Sequence, residues 1–436
     1  MRAMCLVIAA ATITAAPLKA QQALSPTERQ VVSFADAARA DAEALLERAV
    51  NINSGTMNAA GVRRVGNLFE AELKTLGFRT RWIDGAAFKR AGHLVAERTG
   101  TGPHLLLIGH LDTVFEADSP FQKFERLDAD TARGPGIIDM KGGDVVIIYA
   151  LKALAAAKAL EGKTITVVMT GDEEDPGEPL SLARKDLLDA GRAADIAIGF
   201  ENGNNNPANA NISRRGFTGW TLRVKGTAAH SSHVFTDAVG AGAIYELSRI
   251  LSGFYSRLSK EPLLSVNPGM ALGGTTVDFD AAQSRGTAFG KTNVVAEHAV
   301  VIGDLRALSS DQLEAAKKAM QEITAAHLPR SSAELTFDDS YPPMAPTDGN
   351  RRLLRQLSGI STELGLGEIA PVDPRAAGAA DISFVAGDVE MAIDAVGLKG
   401  KGDHTVDETA DLRLLPVQIK RTAILLHRLT TAAPPR

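Results

Sequence analysis

The spacing of apolar side chains changes period several times along the chain, and the changes mark out its architecture. Residues 27–50 and 58–76 repeat apolar positions every three or four residues, the period of amphipathic helices, and the second run closes at Gly77. Short strand-like runs follow at 79–83, 93–98 and 104–109. Then come an Ala-rich helical stretch at 142–160, a strand at 164–170 (TITVVMT), a helix at 181–190 and a strand at 195–200 (DIAIGF). Strands alternating with helices predict an α/β sheet covered by helices on both faces, with functional groups gathered at the carboxyl ends of the strands.

From about Ser213 the pattern is different. Residues 217–225 alternate polar and apolar as FTGWTLRVK, 237–256 read as a helix, and strands are expected at 264–273 and 293–305. A helix at 310–326 and a strand at 333–339 complete the order βαββαβ, a compact α+β unit. The helix–strand alternation resumes from about Ala345. The expected layout is therefore a large domain in two parts, 27–212 and 342–436, interrupted by a smaller inserted domain at 213–341.

Length and composition agree with two soluble domains. The chain has 436 residues, 45% of them hydrophobic. A formal net charge of −5 gives no electrostatic case for nucleic acid or an anionic membrane as partner. Residues 1–20 stand apart: Arg2, an apolar run from Cys5 to Ala16, and the small-residue ending Leu18-Lys19-Ala20 read as a secretory signal peptide. The run is too short for a stable membrane span, so a periplasmic or secreted protein without a membrane anchor is expected after cleavage. Cys5 is the sole cysteine, and its removal leaves neither disulfides nor thiol chemistry.

The residues that carry chemistry sit where the strand runs stop. Leu105 to Ile108 end at Gly109, and His110 and Asp112 follow with one residue between them, which points both side chains the same way. Asp139 lies after a Gly-Pro-Gly turn and before Lys141-Gly142-Gly143, at the start of the Ala-rich helix. After TITVVMT come four consecutive acids, Asp172 to Asp175; Glu201 follows the next strand, and His404 lies in a Gly-Lys-Gly-Asp-His loop. Four acids in a row would by themselves be read as a solvated loop. Glu174 from that run, together with His110, Asp139, Glu201 and His404, makes a donor set of nitrogen and oxygen suited to zinc, less tightly to cobalt or manganese. Five ligands exceed what one catalytic zinc needs, and a carboxylate shared between two ions accounts for the surplus.

Seven segments, GHLDTV, GPGIIDMKGG, TGDEE, GFEN, VKGTAAHSSH, NVV with GDLR, and GDHTVDE, occur in the order found in the two-metal exopeptidases and amidohydrolases typified by glutamate carboxypeptidase and aminoacylase. From about residue 40 onward the chain resembles that family. The resemblance implies a catalytic domain with a mixed sheet and an inserted lid and dimerisation domain, hence a homodimer. It implies His110, Asp139 and Glu201 around one zinc and Asp139, Glu174 and His404 around the other, Asp139 bridging and followed by a cis peptide. Asp112 would accept a hydrogen bond from His110, Glu173 would be the general base for a hydroxide bridging the metals, and His230 would stabilise the oxyanion in a partner's site. Arg306 and Asn293 would bind the substrate carboxylate, a task suited to a planar guanidinium.

The activity so implied is hydrolysis of the amide bond to a C-terminal amino acid, with glutamate-type substrates as the specific expectation. A deacylase of N-acyl amino acids or a dipeptidase would use the same machinery. A non-catalytic binding protein on this scaffold would have no need of Glu173. The chain departs from the family around the pocket: Asp-Pro-Gly-Glu-Pro follows Glu174 where a Gly-Ser turn is commoner, Ala296 replaces a usual proline, Val234 follows the second lid histidine, His233, and Asp403 precedes His404. These positions bear on specificity rather than on metal chemistry.

Overall fold

The computed structural model describes residues 24–280 and 283–431; the expected signal peptide lies outside the described residues. Its centre is a six-stranded mixed sheet in the spatial order Arg79–Asp84, Gly92–Arg98, Thr164–Thr170, His104–His110, Ile196–Gly199, Met391–Ile393. The last four strands are mutually parallel, and the first two join antiparallel at one edge. His104–His110 and Thr164–Thr170 are almost continuously buried, as befits parallel strands covered by helices on both faces. Because the four strands run the same way, Thr170, His110, Gly199 and Ile393 all end at one rim.

The helix Lys141–Ala156 is buried along nearly its whole length on one face of the sheet, against Pro26–Ala37, Arg39–Val50 and Leu414–Thr431. The opposite face packs Leu106, Ile108 and Val168 against Leu187, Ile382 and Val385. The single helix expected at 27–50 is two helices, Pro26–Ala37 and Arg39–Val50, broken at Ala38 with ψ near 5°. The buried stripe Val31, Ala35, Ala38, Ala42, Leu45 continues through the break, so the periodicity alone cannot show it. None of the helices among the described residues is long and apolar enough to cross a membrane.

The inserted unit is a four-stranded antiparallel sheet in the order Ser265–Gly274, His298–Arg306, Phe217–Lys225, Ser332–Tyr341. Helices Ala243–Leu258 and Ser310–Ala325 pack on it through Trp220, Leu222, Ile250, Phe254, Val301 and Met320. The first of these helices begins six residues later than the periodicity suggests. Gly240 and Gly242 hold φ of 71° and 79°, the left-handed region, so the chain there is a turn. A hairpin of Thr276–Asp280 and Arg285–Phe289 also projects along the chain between Ser265–Gly274 and His298–Arg306, where no strands were expected. Its side chains are largely exposed, so no apolar face announces it. The outgoing and returning connections lie side by side: Arg214 and Met344 exchange backbone hydrogen bonds of 3.0 and 2.9 Å, and Tyr341 pairs with Phe217.

Candidate active site

The acids and histidines converge at the rim where the parallel strands end. His110 closes the strand His104–His110, 1% exposed, and its Nε2 lies 3.2 Å from Asp139 Oδ1 and 3.5 Å from Glu201 Oε1. On the other side of the same carboxylate, His404 Nε2 lies 3.0 Å from Asp139 Oδ2 and 3.3 Å from Glu174 Oε2. Two ligand sets thus share Asp139: His110, Asp139 and Glu201, and Asp139, Glu174 and His404, each with its ligand atoms within 4.8 Å of one another. The Asp139–Met140 peptide is cis, and His404 holds a left-handed φ of 60°, an unfavourable backbone for a side chain with a Cβ.

Three buried carboxylates outside the ligand sets hold this geometry. Asp112 takes the Thr56 hydroxyl at 2.7 Å and the backbone N–H groups of Glu173 and Glu174 at 3.0 and 3.1 Å. The Nδ1 of His110 is nearer the main-chain oxygen of Asp112, 3.1 Å, than its carboxylate, 3.4 Å. Asp112 therefore fixes the ring through its backbone and fixes the Glu173–Glu174 turn through its side chain. Glu408 accepts from the N–H groups of Gly136, Ile138 and Asp139 at 2.9, 2.8 and 3.2 Å and so sets the loop carrying the shared carboxylate. Gly136, with φ of 69°, lets that loop close against Thr113. Asp394 accepts the N–H of Glu201 at 3.3 Å and pairs with buried Arg214 at 2.7 Å.

So many acids in one buried place cannot all be ionised without cations among them. Burial and the charge of Asp139 push the carboxyls of Glu174 and Glu201 up to about 7 each. Glu173 rises well above the usual carboxyl range, by burial and by its acidic neighbours despite His110. Burial would raise Asp139 as well, but its hydrogen bonds from His110 and His404 hold it below the usual range. Hydrogen bonds to Asp139 and Glu174 lift His404 to about 11. In the protein alone, protons on imidazoles do the neutralising. Glu174 Oε1 is buried without a hydrogen-bond partner. An orphaned carboxylate oxygen, two imidazoles and a carboxylate shared between both sets fit a pair of divalent ions of the zinc type.

A cleft of about 220 Å³ opens over this cluster, lined by Asp139, Glu173, Glu174, Glu201, Arg214 and His404 and by the backbone around Ala377–Ala379. A larger groove of about 890 Å³ opens at the other end of the same strands, beside Pro103, Ile196 and Met391. The site is marked by converging carboxylates and imidazoles and not by size: the groove's acids Glu363 and Glu390 are paired with Arg428 and Arg352, and no histidine lines it. The inserted-domain residues are elsewhere. His230 is exposed, with Nδ1 2.8 Å from Ser232 Oγ, and Val294 bridges to it. The carbonyl of Asn293 accepts the N–H of Ser231 at 2.9 Å. Arg306 donates from Nε to Asp304 at 2.8 Å and lies over the ring of Phe217. None of the three lines the cleft within one chain. Sequence reasoning gave no role to Glu408, Arg214 or Asp394; Glu408 stood within the GDHTVDE segment, which was the available signal.

The fold and the carboxylate-bridged pair of ligand sets define a metallohydrolase. More particularly, the chain belongs to peptidase family M20/M25/M40, whose family model matches residues 106–428, and it is a metallopeptidase. It is 28% identical over 389 residues to carboxypeptidase G2 of Pseudomonas sp. (strain RS-16), covering 87% of each chain. It is 34% identical over 182 residues to succinyl-diaminopimelate desuccinylase of Sphingopyxis alaskensis, covering 39% of this chain and 46% of that one. Among solved structures its fold resembles the Bacillus subtilis YXEP protein, described as a dinuclear metal-binding peptidase of the M20 family. The TM-score is 0.61 at 16% identity, with coverage of 91% of this chain and 99% of that one.

Proposed function

We propose that this chain is an exported two-zinc carboxypeptidase that hydrolyses the amide bond to a C-terminal amino acid, with glutamate-type substrates preferred. The observation that carries this reading is the shared Asp139 carboxylate between two His/Glu sets, with Glu173 half-buried beside it in the cleft. The similarity to carboxypeptidase G2 along most of both chains supports the carboxypeptidase assignment. The leader-like residues 1–20 support export.

Two zinc ions bound by His110, Asp139, Glu201, Glu174 and His404 would acidify a water and polarise the scissile carbonyl. The remaining chemistry belongs to the protein. Glu173, whose pKa burial raises, accepts the proton of the attacking water on its carboxylate and delivers it to the leaving amine nitrogen. Asp112 keeps the Glu173–Glu174 backbone in place during that transfer. Arg214, whose charge faces Glu201 and Glu173, steadies the ionised forms of both. Arg306 and Asn293 hold the substrate carboxylate, and His230 donates to the oxyanion. Since none of the three lines the cleft of its own chain, His230 is assigned to the site of a second subunit in a homodimer.

A second reading, deacylation of N-acyl amino acids, is favoured by the likeness to a desuccinylase over 182 residues. Hydrolysis of a panel of peptidyl and acylated amino acids, before and after chelation and with zinc restored, separates the two. Release of C-terminal glutamate, lost on chelation and in Glu173→Ala, is expected. Preference for succinylated or acetylated amino acids would move the assignment to the deacylase. Mixing inactive His230→Ala with inactive Glu173→Ala should restore about a quarter of the dimers' sites if the histidine acts across subunits. Exchange of subunits with no recovery refutes that role.

A further inference from the structure

The backbone of Glu173 is held at both ends, and only one of its two anchors belongs to the catalytic domain. Its N–H goes to Asp112 at 3.0 Å. Its C=O accepts a 2.6 Å hydrogen bond from the hydroxyl of Tyr341, the last residue of the inserted domain's returning strand. That hydroxyl in turn accepts from Arg184 Nη2 at 3.2 Å. Arg184 is 1% exposed and immobilised between two acids: Nη1 on Asp172 Oδ1 at 2.6 Å, and Nε beside Asp381 Oδ1 at 2.9 Å. Its Nη2 also reaches the main-chain oxygen of Asp172 at 3.0 Å. Asp381 receives the hydroxyl of Thr170, the residue that ends the strand leading to the acids. The ring of Tyr341 rests against Phe384, centroids 5.0 Å apart.

Tyr341 therefore bridges two bodies. Through its backbone it pairs with Phe217, at the root of the inserted sheet, and three residues further on Met344 is bonded to Arg214. Through its hydroxyl it is fixed to the peptide of Glu173. The two crossings between the domains lie side by side here, so a change in the angle of the inserted domain moves this hydroxyl before it moves any metal ligand. We propose that Tyr341 is a positioning residue for Glu173 and the link by which the attitude of the inserted domain sets the placing of the base. This rests on Glu173 acting as the base, as assigned above.

Tyr341→Phe removes the hydroxyl and leaves the ring packed on Phe384. In the zinc-loaded full chain, hydrogen exchange read by mass spectrometry should become about tenfold faster for the amides of Glu173 and Glu174, whose turn has lost one anchor. Exchange over 104–112 should not change, and two ions should still bind by calorimetry. On the best substrate kcat should fall about tenfold with KM within twofold. Unchanged exchange at Glu173 and Glu174 overturns the inference, as does a kcat that stays within twofold of the unaltered enzyme. A wild-type enzyme that cleaves nothing in the panel would instead refute the proposed function, and the exchange comparison would still decide whether Tyr341 holds this turn.

Discussion

The two regions that contribute to this site are built in opposite ways. At the strand ends most groups are buried or half-buried, with His404 the exposed exception, and most are held by the same domain: His110 by the backbone of Asp112, the Glu173–Glu174 turn by the carboxylate of Asp112 (with Tyr341 as its one anchor from the inserted domain), the Asp139 loop by Glu408, and Glu201 by Asp394. On the inserted domain His230 and Asn293 are exposed, and His230, Asn293 and Arg306 are bound only to groups of the inserted domain itself. The metal end is preorganised by folding alone, which is what precise coordination demands. The proposed substrate end keeps His230 and Asn293 at the surface, where a ligand or another chain can meet them.

The sharpest way to break that contrast is at the shared carboxylate. Asp139→Asn keeps the shape but removes the charge common to both ligand sets. It should lower metal content from two ions to one or none and reduce kcat/KM on the order of a thousandfold, the several kcal/mol that metal polarisation supplies. His230→Ala should keep both ions. Metal analysis of the two purified variants decides it: an Asp139→Asn protein that retains two tightly held ions refutes the bridge.

The same contrast explains what could be read in the sequence. His110, Asp139, Glu174, Glu201 and His404 were legible because each stands where a strand run stops or a glycine turn begins, and parallel strands bring such ends to one rim. The order βαββαβ of the inserted unit was legible from the alternation of Phe217–Lys225 and its successors. Glu408 was not, since its partners lie about 270 positions earlier and its value is in three backbone N–H groups that no local pattern marks. Nor was Arg214, whose pairing with Asp394 spans 180 positions. The hairpin around residues 276–289 escaped because its strands are short and mostly exposed, leaving no buried face to give a period.

Glu408 offers a smaller effect that sharpens the comparison. Glu408→Gln retains an acceptor oxygen but supplies only one, against three N–H groups, so the Asp139 loop is less firmly placed. The expected result is a 10- to 100-fold loss of affinity for zinc, the usual range for groups that orient metal ligands, measured by competition with a chromophoric chelator. If affinity holds and only KM rises, the loop is fixed by its glycines and Glu408 is a packing residue.

The mildest expected effect is that of pH, and it separates proton from metal at the same atoms. In the metal-free chain hydrogen bonds to Asp139 and Glu174 raise His404 to about 11 from an ordinary value of 6.5, and His110, despite its burial, is raised by Asp112, Asp139 and Glu201. A histidine raised in the folded state stabilises the metal-free fold fully below its unfolded value, and that contribution is lost as pH climbs through the folded value. Bound zinc requires both rings without those protons, so each ion should release about one proton near neutral pH, and affinity should rise about tenfold per pH unit per proton. Buried Lys399 works in the other direction over the same window: burial lowers it to about 7, so its contribution to stability grows between about 7 and its unfolded value of 10.5. A melting curve of the chelated protein alone would mix the two. The difference in Tm between zinc-loaded and chelated protein cancels Lys399 and should widen steadily from pH 7 to 10. A difference that stays flat would mean that the histidines carry no displaceable protons, and the two ligand sets would then not be competing sites for protons and metal.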